Sequence, residues 1–226
     1  MISDNLISVR QNIERSAQKA GRKPQDITLV CVTKEADVEE IRQAIAFGVS
    51  DIGENRVQDA VEKFSIIGQR ARWHLIGHLQ TNKVKKAVEI FDLIHSVDSF
   101  HLTESVSKEA AKINKIQDIL IQVNASGEQS KFGVNPHETI SLLRKIISLN
   151  NIRVLGFMTM APLTGDRENI RFCFRKLKQL SEEARDMLIM TYKLQFIALS
   201  MGMSNDYQVA IEEGATMVRI GSAIFK

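Results

Sequence analysis

The stretch ITLVCVTKEADVEEIRQAIAFGVSDIG, residues 27–53, decides the architecture. Ile27–Thr33 is a short apolar, β-branched run and reads as a buried strand. A helical pattern opens near Asp37 and is closed by Gly48. A second strand, Asp51–Gly53, follows at once. Strand, crossover helix and strand in so few residues make a parallel βαβ unit. One lysine, Lys34, stands where the first strand meets its loop.

The same rhythm repeats to the end of the chain. The strand candidates are Ile27–Thr33, Asp51–Gly53, Trp73–Ile76, Leu93–Ser96, Ile119–Asn124, Val154–Thr159, Gln195–Ser200 and Met217–Ile220. Helical patterns lie between them; Asn135-Pro136 opens one and Gly214 closes another. A leading helix precedes the first strand, with Ser3 or Asp4 as its cap, an apolar stripe of Leu6, Ile7, Ile13 and Ala17, and Gly21 as its end. Alternation alone allows an open doubly wound sheet or a closed barrel. The count of eight strands favours the barrel. The expectation is an α/β fold: a (β/α)8 TIM barrel as one domain over residues 1–226, with an extra N-terminal helix.

Composition narrows the class. The 226 residues are 44% hydrophobic and 25% charged, as in ordinary globular chains. Net charge is +3 with acids and bases interspersed, which argues for no nucleic-acid partner. Cys31 and Cys173 sit far apart without a CxxC neighbour, so buried thiols are expected rather than a disulfide or zinc site. No run approaches about 18 apolar residues, and the N-terminal segment has no apolar leader core. The expectation is a cytoplasmic monomer with no membrane segment.

In such a barrel the chemistry sits at the C-terminal strand ends. Unusual polar residues collect there: Lys34; Glu54, Asn55 and Arg56; His74, His78, Gln80, Asn82 and Lys83; and the segments HSVDS, NASGEQSKFG, MTMAP, SMGMSND and RIGS. The opposite ends carry ordinary surface residues such as Lys23, Arg72, Lys115 and Lys193. Two adjacent turns read as a phosphate cradle, with Ser200, Gly202 and Ser204 in one and Gly221 and Ser222 in the next. A lysine rooted at the same mouth, partly desolvated, offers a neutral amine for a carbonyl ligand. Pyridoxal 5′-phosphate and a phosphosugar both satisfy that pair of features. Arg219, the last polar residue of the eighth strand, favours the former as a partner for its ring nitrogen. His74-x3-His78 crosses a strand end and does not read as a metal site. Met158, Met160, Met201 and Met203 read as packing residues.

VTKEA, DIGENRVQD, WHLIGHLQTNK, IHSVDS, LIQVNASGEQSKFG, LGFMTMAP and LSMGMSNDYQVAIEEGATMVRIGSAIF occur here in that order. Together they resemble the pyridoxal phosphate homeostasis protein family over essentially the whole chain. The resemblance implies a barrel similar to the N-terminal domain of alanine racemase, with pyridoxal 5′-phosphate held as a Schiff base on Lys34. It implies that Asn55 lines the pocket. Ser200, Ser204, Gly221 and Ser222 would hold the phosphate with the backbone around Gly202 and Met203. Arg219 would face the pyridine nitrogen and His78 would sit near the ring. The implied role is cofactor supply, with apo pyridoxal-phosphate enzymes as recipients, rather than catalysis. Racemisation needs a second base, and neither tyrosine suits it: Tyr192 stands before the seventh strand, and Tyr207 is expected to pack outward. The alternative is a weak racemase or lyase acting on small amino acids.

Overall fold

The computed structural model describes residues 1–128, 131–192 and 198–226, the side chains of 188–192 excepted. Eight parallel strands close into one barrel in sequence order. They are β1 (Thr28–Val32), β2 (Asp51–Glu54), β3 (Arg72–Leu75), β4 (Leu93–Val97), β5 (Gln117–Gln122), β6 (Ile152–Met158), β7 (Ala198–Ser200) and β8 (Met217–Ile220). β8 pairs back onto β1 with Val30 opposite Arg219, so the closed alternative is the one that forms. Among the described residues the crossovers are α2 (Val38–Ala46), α3 (Val57–Ile67), α4 (Val84–Ile90), α5 (Phe100–Lys112), α6 (Pro136–Ile146), α7 (Arg167–Tyr192) and α8 (Tyr207–Glu212). α1 (Ile2–Lys19) leads and α9 (Ser222–Phe225) follows the last strand.

Local chemistry accounts for the elements. Asp37 and Glu40 form a reciprocal capping box on α2: the Glu40 N–H donates to Asp37 at 2.8 Å, and the Asp37 N–H donates to Glu40 at 2.9 Å. Asn135 caps α6 ahead of Pro136, accepting from the His137 N–H at 3.0 Å. Strands β5 and β6 begin two residues earlier than their apolar runs. Backbone pairing of Gln117 with Ile152 needs no apolar side chain, and Arg153 closes the next rung on Asp118 at 2.6 and 2.8 Å. Residues 195–197 of the expected seventh strand lie outside the described residues.

The main hydrophobic core lies between the sheet and the helices. α1 contributes Leu6, Val9, Ile13 and Ala17, all buried; each large aliphatic side chain so buried contributes about 1.5–3 kcal/mol. Two expectations for α1 are corrected. Met1 occupies the N-cap position without a side-chain cap bond, because the helix already runs at Ile2 and leaves Ser3 and Asp4 inside it. Ile7 is 49% exposed, since the buried stripe runs 6-9-13-17 and leaves position 7 off it. α1 packs on α8 and α9, and the Asn5 side chain donates to the Ile224 carbonyl at 2.9 Å. The leading helix therefore braces the last βα turn from behind. Outside, Arg171 bridges Glu212 and Glu213, and Lys19 meets Glu212 at 2.7 Å, joining α1, α7 and α8.

Inside the barrel a small apolar cluster of Leu93, Leu120, Met158 and Ala198 fills part of the space. Polar side chains described below fill the rest. Both cysteines are buried free thiols, and burial pushes them up to about 12 for Cys31 and about 11 for Cys173. Among the described residues no helix is long and apolar enough to cross a membrane.

Candidate functional site

The C-terminal end of the barrel opens into a cavity of about 660 Å³. Lys34, Asn55, Met203, Ser204, Arg219, Gly221 and Ser222 all line it. Seven of the nine residues singled out from sequence thus converge, from four different strand ends.

Lys34 sits just past β1. Its neighbour Thr33 is buried and anchored twice: the hydroxyl donates to Glu54 at 2.6 Å, and its carbonyl accepts from Lys63 Nζ at 2.6 Å. Lys63 also reaches the fully buried Glu54 at 2.8 Å. This buried pair holds the root of Lys34. The Lys34 side chain is 48% exposed and its Nζ lies 3.6 Å from Glu35. The expected desolvation of the amine is therefore not met; Glu35 and open solvent surround it. Glu35 in turn takes Lys226 at 2.9 Å, and that hydrogen bond is the main cause that lowers its carboxyl pKa.

The two turns after β7 and β8 are stitched together. The Ala223 N–H donates to Ser204 Oγ at 3.3 Å. Asp206, buried at the same wall, accepts from the Met203 N–H and folds the 203–206 turn. Burial raises the Asp206 pKa, offset in part by that N–H and by Arg219. The N–H groups of Ser204 and Asn205, two residues that line the cavity, donate to no group among the described residues. Gly202 has φ +94°, and a Cβ there would lie 2.6 Å from the Ala210 Cβ and 2.8 Å from the Tyr207 Cα. Only glycine lets the turn close so tightly on α8.

Asn55 is set by a similar contact. A Cβ on Gly77 would lie 2.2 Å from the Asn55 carbonyl oxygen, so the loop after β3 can run against it only as glycine. Asn55 lines both the main cavity and a neighbouring one of about 450 Å³.

Arg219 forms the inner wall. It is almost wholly buried; Nη1 donates to Ser200 Oγ at 2.6 Å and Nη2 to the Thr159 carbonyl at 2.9 Å. Burial brings its pKa down to about 10, opposed by Asp206. It remains a cation and a pure donor at neutral pH.

For three residues the geometry differs from the sequence reading. Ser200 does not reach the cavity: it is fully buried, and its hydroxyl lies between Arg219 and His95, 2.9 Å from Nδ1 of the latter. The side-chain alternation of β7 points it into the barrel, below the mouth. His78 does not line the main cavity either. Its ring stacks on Phe132 with centroids 4.2 Å apart, 3.8 Å from Asp98, and faces the neighbouring cavity. Tyr207 packs inward against Gly202 rather than outward, and it does not line the cavity.

Sequence reasoning missed Asp206, the Glu35–Lys226 pair and the interior histidines. Asp206 stood in the quoted SMGMSND segment, where an Asx turn was the available signal. For His95 no local signal exists, since its partners come from other strands.

Comparison with known proteins follows the same lines. The alanine racemase N-terminal domain family matches residues 5–226. A pyridoxal phosphate homeostasis protein of Aquifex aeolicus is 41% identical, over 98% of this chain and 96% of its own. The Escherichia coli protein of that name is 36% identical, over 99% and 95%. The structure of PipY from Synechococcus elongatus with pyridoxal phosphate bound superposes with a TM-score of 0.87 at 32% identity, covering all of both chains. Alanine racemase of Clostridium difficile shares the fold, with a TM-score of 0.77 at 16% identity over 56% of its chain. The chain belongs to the pyridoxal phosphate homeostasis protein family, a branch of the alanine racemase N-terminal domain fold.

Proposed function

We propose that the mouth cavity holds pyridoxal 5′-phosphate on Lys34, and that the protein serves intracellular supply of this cofactor rather than turnover of a substrate. One observation carries the reading: a solvent-accessible lysine amine, a two-turn anion cradle and a buried donor-only arginine share one cavity. These match the three handles of the group, its aldehyde, its phosphate and its ring nitrogen. The free N–H groups of Ser204 and Asn205 fit a phosphate. Ser204 and Ser222 add hydroxyls, and glycine at 202 and 221 allows close approach. Arg219 can only donate, so it suits a ring nitrogen without a proton.

When bound, the cofactor supplies an electrophilic aldehyde carbon and a conjugated ring. Lys34 would be the residue that holds that carbon. The Glu54–Lys63 pair keeps the lysine's root in place, and Asn55 fills the wall beside it. Arg219, which can only donate, would leave the ring nitrogen without a proton and so make the ring a weaker electron sink.

Among the described residues no tyrosine side chain lines the cavity, and each lining carboxylate is engaged, Glu35 with Lys226, Glu40 with the Asp37 N–H and Asp206 with the Met203 N–H. That supports holding over racemase or lyase chemistry. The relatives' printed names point the same way. Buried free thiols suit the cytoplasm. We infer a monomer there, delivering the cofactor to apo pyridoxal-phosphate enzymes.

The test is titration of the purified protein with pyridoxal 5′-phosphate, followed by borohydride and peptide mass mapping, beside Lys34→Ala. The reading expects one pyridoxyl group on Lys34 and none in the variant. A modified variant, or an unmodified wild type, overturns it. Transfer to an apo-enzyme without amino-acid turnover would then separate carrier from enzyme.

A further inference from the structure

Five polar side chains from five strands join into one buried line through the barrel. Asp51 Oδ1 lies 2.9 Å from His74 Nε2, and His74 Nδ1 lies 2.9 Å from His95 Nε2. His95 Nδ1 lies 2.9 Å from Ser200 Oγ, which accepts from Arg219 Nη1 at 2.6 Å. His74, His95 and Ser200 are fully buried. The line starts at the first residue of β2, at the closed end, and finishes at the wall of the mouth cavity.

The ends of this line determine its direction. Arg219 can only donate, and a carboxylate at Asp51 can only accept. His74 must therefore carry its proton on Nε2. With one proton per ring, His74 Nδ1 accepts, so His95 Nε2 donates. His95 Nδ1 then accepts, and the Ser200 hydroxyl must donate to it. Ser200 is left with lone pairs for Arg219 and no proton for anything else. A second proton on His74 would reverse every link beyond it and set two donors against Ser200.

We infer that Asp51, His74, His95 and Ser200 form a one-way hydrogen-bond relay that orients Arg219 from the far end of the barrel, and that all four are positioning residues for the cavity. The relay settles the tautomer of both histidines. It also spends the Ser200 hydroxyl internally, which is why Ser204, not Ser200, is the serine of the first turn offered to a phosphate. The role toward the cavity rests on the cofactor reading above; the relay itself does not.

The first test uses the whole chain without cofactor, labelled with 15N-histidine and assigned through single-histidine variants. Long-range 1H–15N correlation should show His74 and His95 each protonated on Nε2 alone. A proton on Nδ1 of His95, or on both nitrogens of His74, overturns the relay. The second test compares pyridoxal 5′-phosphate binding by His95→Phe with binding by Gln117→Leu, a change at another fully buried polar residue outside the line. The relay predicts affinity at least tenfold weaker for His95→Phe and within twofold of wild type for Gln117→Leu. Equal losses would reduce the line to ordinary core polarity. If wild type binds no pyridoxal 5′-phosphate, the cofactor reading fails, and the imidazole tautomers alone decide the relay.

Discussion

Arg219 donates through Nη1 to the hydroxyl of Ser200 at 2.6 Å, and the same hydroxyl lies 2.9 Å from His95. That relationship places Ser200 in the barrel interior and not at the mouth cavity.

The two serines of the SMGMSND turn should therefore respond differently to truncation. Ser200→Ala strands a buried arginine donor and a buried imidazole nitrogen, at a cost of about 1–3 kcal/mol in stability. Ser204→Ala removes only a 3.3 Å bond at the cavity wall and should leave stability within about 1 kcal/mol while weakening phosphate affinity. Urea denaturation and phosphate-competition binding separate the two. A stable Ser200→Ala that has lost phosphate affinity would restore the serine to the cradle.

The root of Lys34 depends on a buried ion pair. Lys63→Met leaves the carboxylate of Glu54 without its cation in a fully buried place. Removing one partner of such a pair costs about 3–5 kcal/mol. The replacement of both, Glu54→Gln with Lys63→Met, should recover much of that loss. A double variant no more stable than the single one would show that the pair acts otherwise than through charge.

Gly202→Ala should fail on two counts. Its φ of +94° is unfavourable for a side chain, and the new Cβ would meet Ala210 and Tyr207 within 2.8 Å. A loss of about 2 kcal/mol or more is expected, together with weaker phosphate binding as the turn is pushed from α8. Thermal unfolding checks the first effect and competition binding the second.

Acid should act first through His95. Burial holds its imidazole pKa well below the ordinary value of 6.5, helped by the charge of Arg219. The unfolded ring takes a proton near pH 6.5 and the folded one does not. Stability is thus fully present above pH 6.5 and falls as pH drops, by up to about 1.4 kcal/mol per unit from this group. Asp51 adds to the loss at lower pH. Burial alone would raise its pKa, but bonds to His74 and Ser50 outweigh that and hold it below the usual aspartate value. The share of stability it contributes disappears as pH falls below about 4. Denaturation followed from pH 7.5 to 5 should show the slope in wild type and lose it in His95→Phe. An unchanged slope in the variant would assign the effect elsewhere.

The eightfold strand count, the single domain and the position of Lys34 were all legible in the chain. Each is a local pattern: β-branched runs, capped helices such as that opened by Asp37, and glycines such as Gly48 that stop them. The paired turns at 200–204 and 221–222 were legible for the same reason. The roles of Ser200, His74 and His78 were not. A strand points successive side chains to opposite faces, so a residue at a strand end faces either the mouth or the interior, and the sequence alone does not distinguish them. His74 read as one of the polar residues at the mouth, yet it lies inside the barrel and links Asp51 to His95, and His78 turns aside to stack on Phe132. Amino-acid order by itself determined that eight βα units would form and that a lysine and two turns bearing glycine and serine would share one end. Closure of the barrel decided the rest, because only a closed sheet brings β2, β3, β4, β7 and β8 within hydrogen-bond reach across one interior, where every buried donor must find an acceptor.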